Sequence, residues 1–138
     1  MGYLTSLKLL EKMPSKVFKF LGRLPYEEVL KLYSSAWAVV APSVWEEPLP
    51  YVVMESMAMG TIPIASRVGG IPEIVEGSYA EKTLFTPGDN EGLVSRLEEV
   101  LTLSREELAS ISVELRETAV RRFSVEIIED RLLRVFEV

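Results

Sequence analysis

Cysteine and histidine are both absent from these 138 residues. Without cysteine there is neither a disulfide frame nor a thiolate nucleophile, and without histidine the commonest metal ligand and general acid or base is missing. Metal enzymes and histidine-containing triads are disfavoured, and no metal site is expected. Long apolar runs are lacking too, so no integral membrane segment is expected. No charged-then-apolar leader stands at the amino end, and the expectation is a soluble cytoplasmic protein. Basic residues are in the minority, 15 Lys and Arg against 21 Asp and Glu for a net charge of -6. That balance argues against nucleic acid as a partner, because a phosphate backbone is held by a basic face. Glutamine is missing and asparagine occurs once, at Asn90. Beside abundant Glu and Arg, that bias points to a thermophilic source.

What remains is ordinary globular material, 48% hydrophobic and 26% charged, enough for one domain over residues 1–138 with a real core. Apolar spacing predicts a helix over residues 3–13 that Pro14 ends, then a short buried strand over 16–21 closed by Gly22. Pro25 followed by Glu27 and Glu28 marks a helix start, with Val29, Leu30 and Tyr33 facing inward. Residues 36–41 (AWAVVA) read as a central parallel strand, apolar on both faces. A helix from Tyr51 stops at Gly60, and residues 61–66 (TIPIAS) form a further strand in which Pro63 belongs near the start or on an edge. A helical piece over 72–75 and a short strand over 83–85 precede the turn at Pro87 and Gly88. The rest is a helical tail. Leu93, Val94, Leu97, Val100 and Leu101 make one stripe; Ser104 and Glu107 make a capping box for a helix burying Leu108, Ile111, Leu115 and Ala119. Ser124 caps a last helix with Val125, Ile128, Leu132 and Val135 or Phe136 on its apolar side. Strand alternating with helix predicts an α/β fold, a Rossmann-like parallel sheet with flanking helices, whose ligands bind at the carboxyl ends of the strands.

Two acids in residues 42–73 stand out. Glu47 precedes a helix start that Pro48 and Pro50 tolerate, and Glu55 falls mid-helix among Val52, Val53, Met54, Met57, Ala58 and Met59. A carboxylate in that apolar setting needs a basic partner, a polar network or the hydroxyls of a ligand. For Glu47, compensation of the helix dipole is the plain alternative to a binding role. Gly69 and Gly70 either let backbone approach a ligand or simply make a turn. Glu73 and Arg67 read as structural, and Glu46 as solvated.

The ordered motifs Ser43, Glu47-Pro48-Leu49-Pro50, Glu55, Met57-Ala58-Met59-Gly60-Thr61 and Gly69-Gly70-Ile71-Pro72-Glu73 resemble the signature of the retaining glycosyltransferases of family 4, the group 1 glycosyl transferases. The resemblance runs from Lys16 onward and implies the later part of the donor-binding, C-terminal half of a GT-B fold. It assigns the sugar hydroxyls to Glu47, the ribose diol to Glu55, and the sugar and phosphates to backbone around Leu49, Tyr51, Val52, Gly69 and Gly70. It implies a nucleotide diphosphate sugar as donor, hexosyl transfer with retention, a saccharide or lipid-linked acceptor, and no cofactor. The chain departs from the family pattern at Pro50, where the family has Gly, so one main-chain donor is lost. The family's basic pair for the diphosphate and its acceptor domain lie upstream of the matching region. An incomplete, truncated domain is therefore expected, inactive alone, binding nucleotide weakly, needing its missing half or a partner subunit, and prone to self-association. A non-catalytic nucleotide-sugar-binding module is the alternative, and a GT-B epimerase or phosphorylase a third reading.

Overall fold

The computed structural model describes residues 19–136, so the helix expected over 3–13 lies outside the described residues, as does the first half of the strand expected over 16–21. Its second half, from Lys19 on, is not strand. Helix α1 (Tyr26–Ser35) leads into β1 (Ala38–Ala41), followed by α2 (Tyr51–Ala58), β2 (Ile62–Ser66), α3 (Ile71–Val75), a 3-10 turn (Tyr79–Thr83), β3 (Leu84–Phe85), and then α4 (Asn90–Leu101), α5 (Arg105–Phe123) and α6 (Val125–Phe136). Among the described residues three strands form one parallel sheet in the order β1-β2-β3, the Rossmann-like α/β architecture expected.

The central strand is β2, with all five residues buried. β1, expected to be central, pairs with β2 alone among the described residues, and Val40 is 40% exposed. Pro63 tells a related story. It is the second residue of β2, near the start as expected, but on the central strand rather than an edge. Thr83 Oγ1 donates to the Pro63 carbonyl at 2.5 Å, and the β3 ladder begins only at Ala65. Backbone N–H and C=O of one strand residue point to the same side, so the missing N–H falls where no ladder exists.

Over the sheet, α2 buries Val53, Ser56 and Met57 against β1 and β2 and also meets α1 and α5. Its C-terminus closes in a Schellman motif: Thr61 N–H reaches Ser56 O at 2.8 Å and Gly60 N–H reaches Met57 O at 2.9 Å, with Gly60 at φ 76. From α5, Arg116 donates to Met59 O at 3.0 Å, placing a cation at the negative end of α2. Arg122 similarly clasps the end of α3 through the carbonyls of Glu73 and Glu76, each at 2.6 Å.

Helix α5 buries Leu115, Thr118 and Ala119, with Leu108 and Ile111 half-buried, in line with expectation. The stripe on α4 is narrower than expected: Leu93, Leu97 and Val100 face the core while Val94 and Leu101 are exposed. On α6 the expected apolar side is uncovered, with Val125, Ile128, Leu132, Val135 and Phe136 all exposed. Periodicity reveals which face is apolar, not whether anything packs on it.

The capping box of α5 is formed as expected. Glu107 N–H donates to Ser104 Oγ at 3.1 Å, and Ser104 N–H to the Glu107 carboxylate at 2.7 Å, which holds that carboxyl below its usual range. Ser104→Ala is expected to lower stability by about 1 kcal/mol in a thermal melt. Because the folded-state value of Glu107 is lowered, its contribution is complete above the ordinary carboxylate range and fades as pH falls through the folded value. The Tm difference between the native chain and Glu107→Gln should therefore shrink on acidification.

Candidate functional site

The chain leaves β1 at Ala41 and reaches α2 through a loop in which Glu46 and Glu47 are exposed and Pro50 is buried as the N-cap of α2. After β2 it turns through Arg67, Val68, Gly69 and Gly70 into α3. Both loops leave the carboxyl ends of adjacent parallel strands, so they meet on one rim. Gly70 N–H donates to Glu47 O at 2.9 Å. A Cβ at Gly69 would overlap the Glu47 carbonyl oxygen, and one at Gly70 the Pro48 carbonyl oxygen. The two glycines thus let one loop lie directly on the other, a role beyond either the ligand approach or the simple turn read from sequence. Between the loops lies a groove of about 400 Å³ lined by Glu46, Glu47, Pro48, Gly69, Gly70 and Glu73. None of these six residues is basic. Glu46 is exposed, as expected, yet belongs to this lining together with Glu73.

Helix α2 has no side-chain cap, and its first N–H groups, those of Tyr51 and Val52, precede the first intrahelical bond. They carry the positive end of the helix dipole on the same rim. Leu49 is exposed just before them. Glu55 lies four residues after Tyr51, hence on the same face one turn along, about 6 Å further down the axis.

Glu55 itself is half-buried rather than enclosed, and the helix is less fully buried than its composition suggests, with Tyr51 and Ala58 exposed. Its partner is Tyr26 of α1, whose hydroxyl donates to Glu55 Oε1 at 2.8 Å. That bond, then desolvation and the carboxylate charge, raise the Tyr26 phenol above its ordinary value. Burial raises Tyr33, with the Glu55 charge adding to it. No basic side chain pairs with Glu55 among the described residues. Beside it opens a cavity of about 320 Å³ lined also by Met54, Ala58, Ala119, Val120, Phe123 and Ser124.

Of the residues singled out from sequence, Glu47, Gly69 and Gly70 come together in one groove, and Leu49, Tyr51 and Val52 stand at the adjoining helix start. Glu55 does not line that groove; it faces Tyr26 and the second cavity. Sequence reasoning missed Tyr26. The one signal for it was its seven-residue spacing from inward-facing Tyr33, which puts both on one face of α1.

A parallel α/β sheet with glycine-juxtaposed loops and an uncapped helix start on its carboxyl rim belongs to the Rossmann-like class of open α/β architectures, whose ligands bind at that rim. More particularly, residues 3–117 match the family Glycosyl transferases group 1, and the chain belongs to that family. It is 40% identical over 96 residues to Sulfoquinovosyl transferase SQD2 of Arabidopsis thaliana, covering 68% of this chain and 18% of that protein. It is 31% identical over 136 residues to Alpha-maltose-1-phosphate synthase of Mycolicibacterium smegmatis, covering 96% of this chain and 35% of that protein. Among solved structures it resembles sucrose-phosphate synthase from Thermosynechococcus elongatus (TM-score 0.79, 27% identity, 96% of this chain and 32% of that one). It also resembles Anabaena HepE in complex with UDP-glucose (TM-score 0.80, 25% identity, 97% of this chain and 36% of that one). The chain spans roughly a third or less of the length of these relatives. No helix among the described residues is long and apolar enough to cross a membrane.

Proposed function

We propose that the chain carries the donor-binding region of a retaining glycosyltransferase that moves a hexosyl group from a nucleotide diphosphate sugar to an acceptor hydroxyl. The observation that carries this reading is the groove where Glu47 meets Gly69 and Gly70 beside the uncapped start of α2. There Glu47 takes sugar hydroxyls, the backbone at Leu49, Tyr51 and Val52 at the adjoining helix start takes sugar and phosphate, and Glu55, outside the groove and one turn along α2, takes the ribose diol. An axial step of about 6 Å suits the span from a diphosphate to its ribose. The resemblance to a protein solved with UDP-glucose supports the same class of donor. Positioning and electrostatics supply the catalysis, with the leaving phosphate helping to deprotonate the acceptor. Pro50 offers no N–H at the position where the family presents glycine, so the sugar is held by one fewer backbone donor.

Glu46, Glu47 and Glu73 give this groove a negative field, which opposes a diphosphate. The counter-charge then comes from residues outside the matched motifs, in the part of the longer relatives that this chain does not span. The same lack of basic lining favours a second reading, a non-catalytic binding module completed by a partner. Among the described residues β1 is an edge, with Trp37 and Val40 exposed, and that edge is where such a partner half, or a second copy, adds to the sheet. Titration of the purified chain by amide NMR tests the reading. Uridine, adenosine and guanosine and their diphosphates are expected to bind at about millimolar strength, near −4 kcal/mol. Shifts should centre on Glu47, Glu55, Gly69 and Gly70, each diphosphate should bind no more tightly than its nucleoside, and no sugar should be transferred. Tenfold tighter binding of a diphosphate would show that the rim holds it unaided, and shifts confined to the 3-10 turn around Tyr79 would defeat the assignment.

A further inference from the structure

On the reading of Glu55 as the ribose carboxylate, we infer that Tyr26 is its positioning residue: the hydroxyl takes one oxygen of Glu55 and so presents the rest of the carboxylate to a vicinal diol. The bond joins residues 29 apart in sequence and ties α1 to α2. A carboxylate offers about four acceptor sites, and one hydroxyl occupies a single one of them. Oε2 and the second lone pair of Oε1 therefore stay open for two ligand hydroxyls. Without Tyr26 the side chain has no bonded partner to direct it, because the cavity on its other side presents the apolar groups of Met54, Ala58, Ala119, Val120 and Phe123, and its one hydroxyl, on Ser124, accepts from Ile127 N–H at the start of α6. Among the described residues no cation holds it either.

Tyr26 is well placed for this. It is the first residue of α1 after the N-cap Pro25, and at 60% exposed its ring leaves the carboxylate reachable. The far end of α1 is fixed independently by Thr61 Oγ1, which donates to the Tyr33 carbonyl. Helix α1 is thus held at both ends against the unit formed by α2 and β2, and the hydroxyl does not have to serve as its sole anchor.

The test compares uridine with 2′,3′-dideoxyuridine in NMR titrations of the whole chain at millimolar ligand, with adenosine and guanosine pairs alongside. The native chain should prefer the diol. Tyr26→Phe, which keeps the exposed ring and should melt close to the native chain, is expected to weaken uridine about 3- to 10-fold, the worth of one modest hydrogen bond, and to leave dideoxyuridine unchanged. Glu55→Gln should erase the preference in either background. If Tyr26→Phe weakens both ligands equally, leaves both unchanged, or tightens uridine, while Glu55→Gln still erases the preference, the positioning role fails and the ribose assignment stands. If the preference survives Glu55→Gln, or no nucleoside binds at all, the ribose assignment fails and the role of Tyr26 with it.

Discussion

Gly70→Ala is expected to lower the stability of the chain by about 1–3 kcal/mol and to close the groove to ligand, with affinity falling more than tenfold. The reason is steric and not conformational. Gly70 sits at an ordinary helical φ of -80, so alanine is not strained there by its own backbone. What it meets is the Pro48 carbonyl, with the carbonyl carbon 2.9 Å from the new Cβ and the oxygen closer still. Both are backbone atoms, so no side-chain rotation relieves the overlap. The loop carrying Glu47 has to lift, which also breaks the 2.9 Å bond from Gly70 N–H to Glu47 O. Gly77→Ala is the informative comparison: a Cβ there meets nothing within 4 Å, and only its φ of 72 opposes the substitution. It should cost about 1–2 kcal/mol and leave the groove as it is. Thermal melts with a nucleoside titration separate the two. A Gly70→Ala chain that keeps native affinity and native amide shifts at Glu47 would overturn the loop-on-loop account.

That contact explains much of what could and could not be read from the sequence. Helix boundaries were legible where the signal was local: Pro25 before α1, Gly60 after α2, and Ser104 with Glu107 at α5 act within a few residues of themselves. The motif order placed Glu47, Gly69 and Gly70 on one rim because parallel strands send successive loops to the same end. It did not show that the glycines lie against Glu47 and Pro48, since a contact between loops some twenty residues apart leaves no periodic trace. The Tyr26 bond to Glu55 was hidden in the same way, and composition around Glu55 made that carboxylate look more enclosed than it is. The exposed Val40 of β1 and the bare apolar side of α6 belong together here. Each is an apolar surface read as buried from its own residues, and burial depends on what comes to cover it.

Glu55→Gln should preserve the fold and weaken nucleotide binding by roughly 10- to 100-fold. Hydrogen bonds to a charged group contribute about 1.5–3 kcal/mol, and an amide keeps one acceptor oxygen while losing the charge and the second acceptor toward the diol. The fold is expected to survive because Tyr26 can still donate to the amide oxygen and Glu55 is only half-buried, with no ion pair to break among the described residues. Glu46 is a poor control, since it lines the groove with Glu47. Exposed Glu98, in the last third of α4, is a better one, and Glu98→Gln should leave affinity unchanged. If Glu55 acts only as a latch between α1 and α2, Glu55→Gln lowers the melting temperature while the folded protein binds nucleotide as before. Calorimetry or NMR titration of both variants, each with a thermal melt, decides between the two, and native affinity in the Glu55 variant would remove the ribose from this carboxylate.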